Sequence, residues 1–223
     1  MIIKQIHQIF FDMGKGQLNE ISEFRESQYK TKRFCEEHKI IYKLWSEQDC
    51  EDLVESLELH LQGLYHNFRE PIQKIDFIRF VILHQFGGIY LDLDCHPINN
   101  INQLFEKEYF FVRWLNGKLP YIAILGAEAG LGLYKDIIDH CYESYKEKVN
   151  MQIYKKWIGR FVYQTTGHYM VQRVLKKHKI KHTDLLEIVA VWSKGTYTGK
   201  PSGNLFMDFN ASVWYSGEQH YIK

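Results

Sequence analysis

Two aspartates one residue apart, Asp92 and Asp94, end the run Ile89-Tyr90-Leu91-Asp92-Leu93-Asp94. Read as a strand, this run puts alternate side chains on opposite faces. Ile89, Leu91 and Leu93 then enter a core, while Tyr90, Asp92 and Asp94 share the other face. Two carboxylates so close repel each other, and a divalent cation with hard oxygen ligands, Mn²⁺ or Mg²⁺, relieves that repulsion. The alternative is a solvated strand end carrying two exposed acids, and a lone D-x-D does not separate the two readings.

The segment before it tips the balance. Residues 72–86 (IQKIDFIRFVILHQF) are apolar nearly all round, so they predict a helix buried on most sides. Asp76 and Arg79 interrupt it at i, i+3 spacing and share a face. A buried structural ion pair is one reading; side chains facing a polar cavity is the other, and the D-x-D that follows favours it. Pro71 opens the helix where its missing N–H is harmless, and Gly87-Gly88 stops it.

The remaining elements must position these groups. Residues 3–11 predict a first strand, 18–38 a helix and 40–45 a second strand, with Ser46 capping the next helix. Further strands are expected over 89–94, 109–114, 121–127 and 187–192, and helices over 131–148 and 168–179. The tail after Gly203 shows no period and reads as a loop. Mixed strands and helices predict an α/β fold, a mixed central sheet flanked by helices. At 223 residues the chain fits one domain, 1–223, in two halves, 1–98 and 99–223.

Composition excludes several classes. With 28 basic and 27 acidic residues, no bulk field draws nucleic acid or an anionic membrane, so any anionic ligand is held locally. The run Lys176-Lys177, Lys179, Lys181 is such a local group: either a solvated face or a contact for an acidic acceptor or membrane surface. No apolar run is long enough to span a bilayer, and the start of the sequence lacks a signal peptide's regions. Both predict a cytoplasmic protein, peripheral to a membrane at most. The four cysteines form no C-x-x-C pair and read as reduced thiols.

Taken together, Ile75-Asp76-Phe77-Ile78-Arg79-Phe80 and Gly87-Gly88-Ile89-Tyr90-Leu91-Asp92-Leu93-Asp94 resemble the signature of the family 32, sugar-binding D-x-D glycosyltransferases. That family includes yeast Golgi mannosyltransferases and bacterial capsule enzymes; the glucosylating domain of clostridial toxins is a more distant relative. The pattern is S-D-x-x-R followed by G-G-x-Y-x-D-x-D, with Ile75 replacing the Ser. Ile6-His7-Gln8-Ile9-Phe10, Tyr42-Lys43-Leu44-Trp45 and Thr165-Thr166-Gly167 resemble further family segments.

The resemblance implies a GT-A-like nucleotide-diphospho-sugar transferase fold. It implies a hexosyltransferase using a UDP-sugar, or alternatively a GDP-sugar, on a glycan or lipid-linked acceptor, with retention. The nucleotide-sugar half would be 1–98 and the acceptor half 99–223. Asp94 would bind the cation directly and Asp92 through water or the sugar. Asp76 and Arg79 would hold donor-sugar hydroxyls, and Tyr90 would pack on the sugar or ribose. Phe10 stands where relatives stack a Trp on the base, and Gln8 and its neighbours would present backbone groups to that base. In Ser212-Val213-Trp214, Ser212 would complete the metal shell, with His220 as a rival ligand, and Trp214 would donate to the diphosphate. His96 could approach the site. Two other readings remain: a D-x-D phosphatase, disfavoured by the central position of the motif before Cys95-His96-Pro97, and a non-catalytic carbohydrate-binding protein.

Overall fold

The computed structural model describes residues 1–12, 18–113, 117–153, 157–193, 196–198 and 204–209. Trp114, Ser212, Trp214 and His220 lie outside them.

The first half lays down parallel strands with helical crossovers. β1 (Gln5–Ile9) is followed by α1 (Ser22–His38), β2 (Ile41–Trp45), α2 (Glu47–Glu55), α3 (Leu59–His66), α4 (Pro71–Phe86) and β3 (Gly88–Leu91). The cap expected at Ser46 is a full capping box. Its Oγ accepts from the Asp49 N–H at 3.1 Å, and the Asp49 carboxylate accepts from the Ser46 N–H at 2.8 Å. The chain continues through β4 (Cys95–Pro97), α5 (Asn102–Phe105), β5 (Tyr109–Arg113), β6 (Pro120–Ala127), α6 (Gly132–Lys148), α7 (Ile158–Thr165) and α8 (His168–Lys177). It ends in β7 (Val189–Ser193), β8 (Thr196–Thr198) and β9 (Phe206–Asp208).

The main sheet has the order β2-β1-β3-β6-β5, parallel across β2, β1 and β3 and antiparallel from β3 outward. A second sheet, β4-β9-β7-β8, packs beside it. Two apolar clusters cover the main sheet. One gathers Tyr90, Phe77, Phe80, Val81 and Tyr134; the other gathers Ile6, Ile89, Leu91, Ile124 and Phe206. The predicted alternation along 89–91 is therefore real: Ile89 and Leu91 enter one core and Tyr90 the other.

Three expectations are corrected. The strand 89–94 stops at Leu91, and Asp92–Asp94 form a turn. The tail is not all loop: β9 pairs antiparallel with β4. The helix 168–179 ends at Lys177, and Lys179 adopts a left-handed conformation, φ 61°. Short or weakly patterned elements, α3, α5, α7, β4 and β8, carried no periodic signal long enough to read. The four cysteines are free and buried. No helix among the described residues is long and apolar enough to cross a membrane.

Candidate active site

Gly87-Gly88 sets where β3 begins. Both residues have positive φ, and a Cβ on Gly88 would lie 2.8 Å from the Gln5 carbonyl oxygen and 3.0 Å from His7 Nε2. Only glycine lets the end of α4 pass this close to β1. His7 fastens the crossing. Trp45 Nε1–H donates to its Nδ1 at 3.1 Å, so its Nε2 carries the proton and meets the Gly87 carbonyl at 2.9 Å. Burial holds this imidazole down at about 4, so it stays neutral.

Beyond Leu91 the chain leaves the sheet and turns. The Asp92 N–H donates to the Ala123 carbonyl at 2.8 Å, and the Cys95 N–H donates to the Asp92 carbonyl at 2.9 Å. Gln8 lies beneath this turn. Its Nε2 donates to the carbonyls of Asp92 and Cys95 at 3.1 and 3.2 Å, and its Oε1 accepts from the Tyr42 hydroxyl at 2.9 Å. Ser27 Oγ donates to the same Cys95 carbonyl at 2.7 Å. Gln8 is fully buried, so its side chain holds the D-x-D turn from behind and does not face a ligand.

In front of the turn, α4 presents its two charges. Asp76 is 4% and Arg79 1% exposed. The Arg79 guanidinium forms ion pairs, Nη2 with Asp76 Oδ1 at 2.9 Å and Nη1 with Asp92 Oδ1 at 3.2 Å, and its Nη1 donates to the Ile122 carbonyl at 2.9 Å. It lies 4.8 Å over the Tyr90 ring, whose hydroxyl donates to Asp92 Oδ1 at 2.7 Å. Thr166 Oγ1 donates to the other Asp76 oxygen at 3.0 Å, which gives the Thr165-Thr166-Gly167 turn its role. Beside it, Gln73 Nε2 donates to Thr165 Oγ1 at 2.7 Å.

Burial pushes the Asp76 carboxyl up to about 6, a shift that the Arg79 charge opposes and the Asp92 charge adds to. Burial alone would loosen the Arg79 proton, but Asp92, Tyr90 and Asp76 together hold it above its ordinary value, so Arg79 is a permanent cation. Burial also raises the Tyr90 phenol well above its usual range, so it remains a donor.

Asp76, Arg79, Tyr90, Asp92 and Asp94 all line one hollow of about 480 Å³, and Phe10 stands at its rim. The opposite wall comes from residues 117–123 and from Tyr163, Gly167 and His168. Its volume suits a bound small molecule. His96 does not line it; it is 3% exposed and packs on Phe209 with ring centroids 5.0 Å apart.

One group escaped sequence reasoning. Asp208, fully buried at the end of β9, lies opposite Cys95 and accepts from the Tyr121 hydroxyl. The ligand atoms of Asp94, Cys95 and Asp208 lie within 4.8 Å of one another. The Phe209 N–H donates to the Asp94 carbonyl at 2.9 Å, which ties the tail to the D-x-D turn. No local pattern marks a three-residue strand paired across more than a hundred positions, so Asp208 had no sequence signal.

The donor set fits a divalent cation. Asp94 and Asp208 offer hard carboxylate oxygens at close range, which suit Mn²⁺ or Mg²⁺. Burial raises the Cys95 thiol well above its ordinary value, so it contributes a neutral S–H, directed at Asp94 Oδ1 at 3.8 Å, and no thiolate. Asp76 and Asp92 are paired with Arg79, whereas Asp94 and Asp208 lie together beyond it, where a cation would offset their charge.

Residues 19–111 match the family described as the glycosyltransferase sugar-binding region containing the DXD motif. Among curated proteins, the mannosyl phosphorylinositol ceramide synthase SUR1 of Saccharomyces cerevisiae is 32% identical over 53 residues, 24% of this chain and 14% of that protein. The synthase CSH1 of the same yeast is 23% identical over 189 residues, 82% of this chain and 46% of that protein. The chain thus spans less than half the length of these relatives. Among solved structures, the PaToxG glycosyltransferase superposes with a TM-score of 0.52 at 12% identity, over 79% of this chain and 70% of that one, a likeness of fold. Residues 19–111 are thus similar to the glycosyltransferase sugar-binding region that contains the D-x-D motif, and the fold is of the GT-A type.

Proposed function

We propose that the protein transfers a hexosyl group from a nucleoside-diphosphate sugar to a hydroxyl of a glycan or lipid-linked acceptor, with retention at the anomeric carbon. A UDP-sugar is the first choice of donor and a GDP-sugar the second. One observation carries this reading: two segments that are separate in sequence, Asp76/Arg79 on α4 and Tyr90-x-Asp92-x-Asp94 after β3, converge on one hollow with an aromatic rim.

In this reading, Asp76 accepts hydrogen bonds from donor-sugar hydroxyls, and Arg79 donates its remaining N–H. Asp92, held by Arg79 and Tyr90, faces the sugar or ribose. Phe10 offers a π face to the nucleobase. Asp94 and Asp208 would hold Mn²⁺ or Mg²⁺, with Asp92 beside them. When bound, that cation stabilises the charge developing on the leaving diphosphate. Ser212, Trp214 and His220 remain candidates to complete this end of the site.

A panel of nucleotide sugars tests the proposal through slow, Mn²⁺-dependent donor hydrolysis. Hydrolysis of one nucleoside class, abolished by EDTA, is the outcome that supports it. Binding of a nucleotide sugar with no turnover, with or without acceptors, would make the protein a carbohydrate-binding module instead.

A further inference from the structure

A second hollow of about 420 Å³ adjoins the first, and the two share Lys118 and Pro120 as walls. Lys118, Lys176, Lys179, Lys181 and His182 line it over an apolar floor that includes Leu175 and Leu185. None of its lining residues is acidic. In a chain whose formal charge is only +1, this concentration of lysines is local.

The backbone builds the cluster. The Lys179 N–H donates to the Lys176 carbonyl at 3.0 Å and the Ile180 N–H to the Leu175 carbonyl at 2.9 Å, closing α8 with a left-handed residue at Lys179. This reversal wraps Lys176, Lys179 and Lys181 around one concavity. Lys118 arrives from the β5–β6 connection, held where Gln172 Nε2 donates to its carbonyl at 3.1 Å.

Nearby acids are engaged elsewhere. Asp184 accepts from the Lys181 backbone N–H at 2.8 Å, and Asp136 pairs with His178 at 2.7 Å. No lysine of the hollow forms an ion pair with a carboxylate among the described residues. Like charges gathered without counter-charge repel, and an anion resolves that. Ammonium groups approaching from several sides, with no arginine fork among them, suit a tetrahedral phosphate better than a planar carboxylate.

We propose that this lysine hollow binds a phosphate group carried by the acceptor. The inference rests on the transferase reading above and specifies its acceptor. His168, at the start of α8, lines the donor hollow, and Lys176, near its end, lines the basic one. Eight residues of helix separate them by about 12 Å. An acceptor would therefore present a hydroxyl to the donor sugar while its phosphate rests among the lysines.

The test compares the wild-type protein with a Lys176→Gln/Lys179→Gln/Lys181→Gln variant, whose changed side chains are all exposed. Thermal unfolding is followed in inorganic phosphate and in chloride of matched ionic strength. Co-sedimentation is followed with phosphatidylcholine vesicles, with and without phosphatidylinositol. The expected result is a phosphate-specific stabilisation of the wild type that the variant lacks. If the phosphate is lipid-borne, affinity for phosphatidylinositol vesicles falls about a hundredfold in the variant; equal vesicle binding alongside the phosphate effect assigns the group to a soluble acceptor. An identical response of both proteins to phosphate overturns the proposal. None of these readouts needs turnover. A wild-type protein that hydrolyses no nucleotide sugar would therefore sink the transferase reading separately, without imitating failure of the phosphate site.

Discussion

The two hollows differ in how their charges are held. In the donor hollow, Arg79 is fully buried and bonded to Asp76, Asp92 and two backbone carbonyls, so each charge fixes its neighbours. In the basic hollow, the lysine side chains extend from an exposed rim. The first arrangement is set before a ligand arrives; the second leaves long side chains free to follow one. A reacting sugar needs the former, because catalysis depends on groups held in place for the transition state. A recognition contact tolerates the latter.

Four perturbations break or sharpen this contrast. Asp94→Asn should have the largest effect, reducing donor hydrolysis about a thousandfold or more. Circular dichroism should be unchanged, because Asp94 lies in a turn outside both apolar cores. Arg79→Met should destabilise the fold by about 3–5 kcal/mol in urea unfolding, since Asp76 and Asp92 lose their shared cation in a buried setting. Gln8→Ala should lose about 1–3 kcal/mol and part of the activity, because the turn's carbonyls and the Tyr42 hydroxyl lose their common partner. The triple lysine variant should shift stability by no more than about 0.5 kcal/mol, as exposed, unpaired side chains do. A large loss there would mean that the lysines hold structure.

The Asp76 carboxyl adds a pH test. Its folded value of about 6 exceeds the ordinary 3.8, so between those values the folded protein keeps a proton that the unfolded chain releases. Its contribution to stability is present below about pH 4 and is lost as pH rises toward about 6. Asp76→Asn should flatten that part of the pH–stability curve, measured by urea midpoints.

Much of the site was legible because one short stretch encodes it. The i, i+3 pair in an apolar helix, the two glycines and the D-x-D lie within residues 76–94, where periodicity and spacing speak directly. Register was less legible. The alternation through Ile89, Tyr90 and Leu91 was right, but the strand ended before its acids because Gln8 and Ser27, from distant elements, capture the Cys95 carbonyl and support a turn. The support that the Gln8 side chain gives the turn was not legible for the same reason: sequence gives proximity to Phe10, but not which way an amide points. Asp208 depends on the pairing of β4 with β9 across a long separation, which no local pattern records; the lysine run 176–181 was visible, but not that Lys118 joins it from the β5–β6 connection.

Calorimetric titration of a UDP-sugar or GDP-sugar into the protein, with Mn²⁺ and with EDTA, tests the central claim most directly when run on the wild type and on Asp94→Asn. The account predicts cation-dependent binding by the wild-type protein, lost in EDTA and lost in the variant. Equal binding by both proteins, indifferent to the cation, would contradict it.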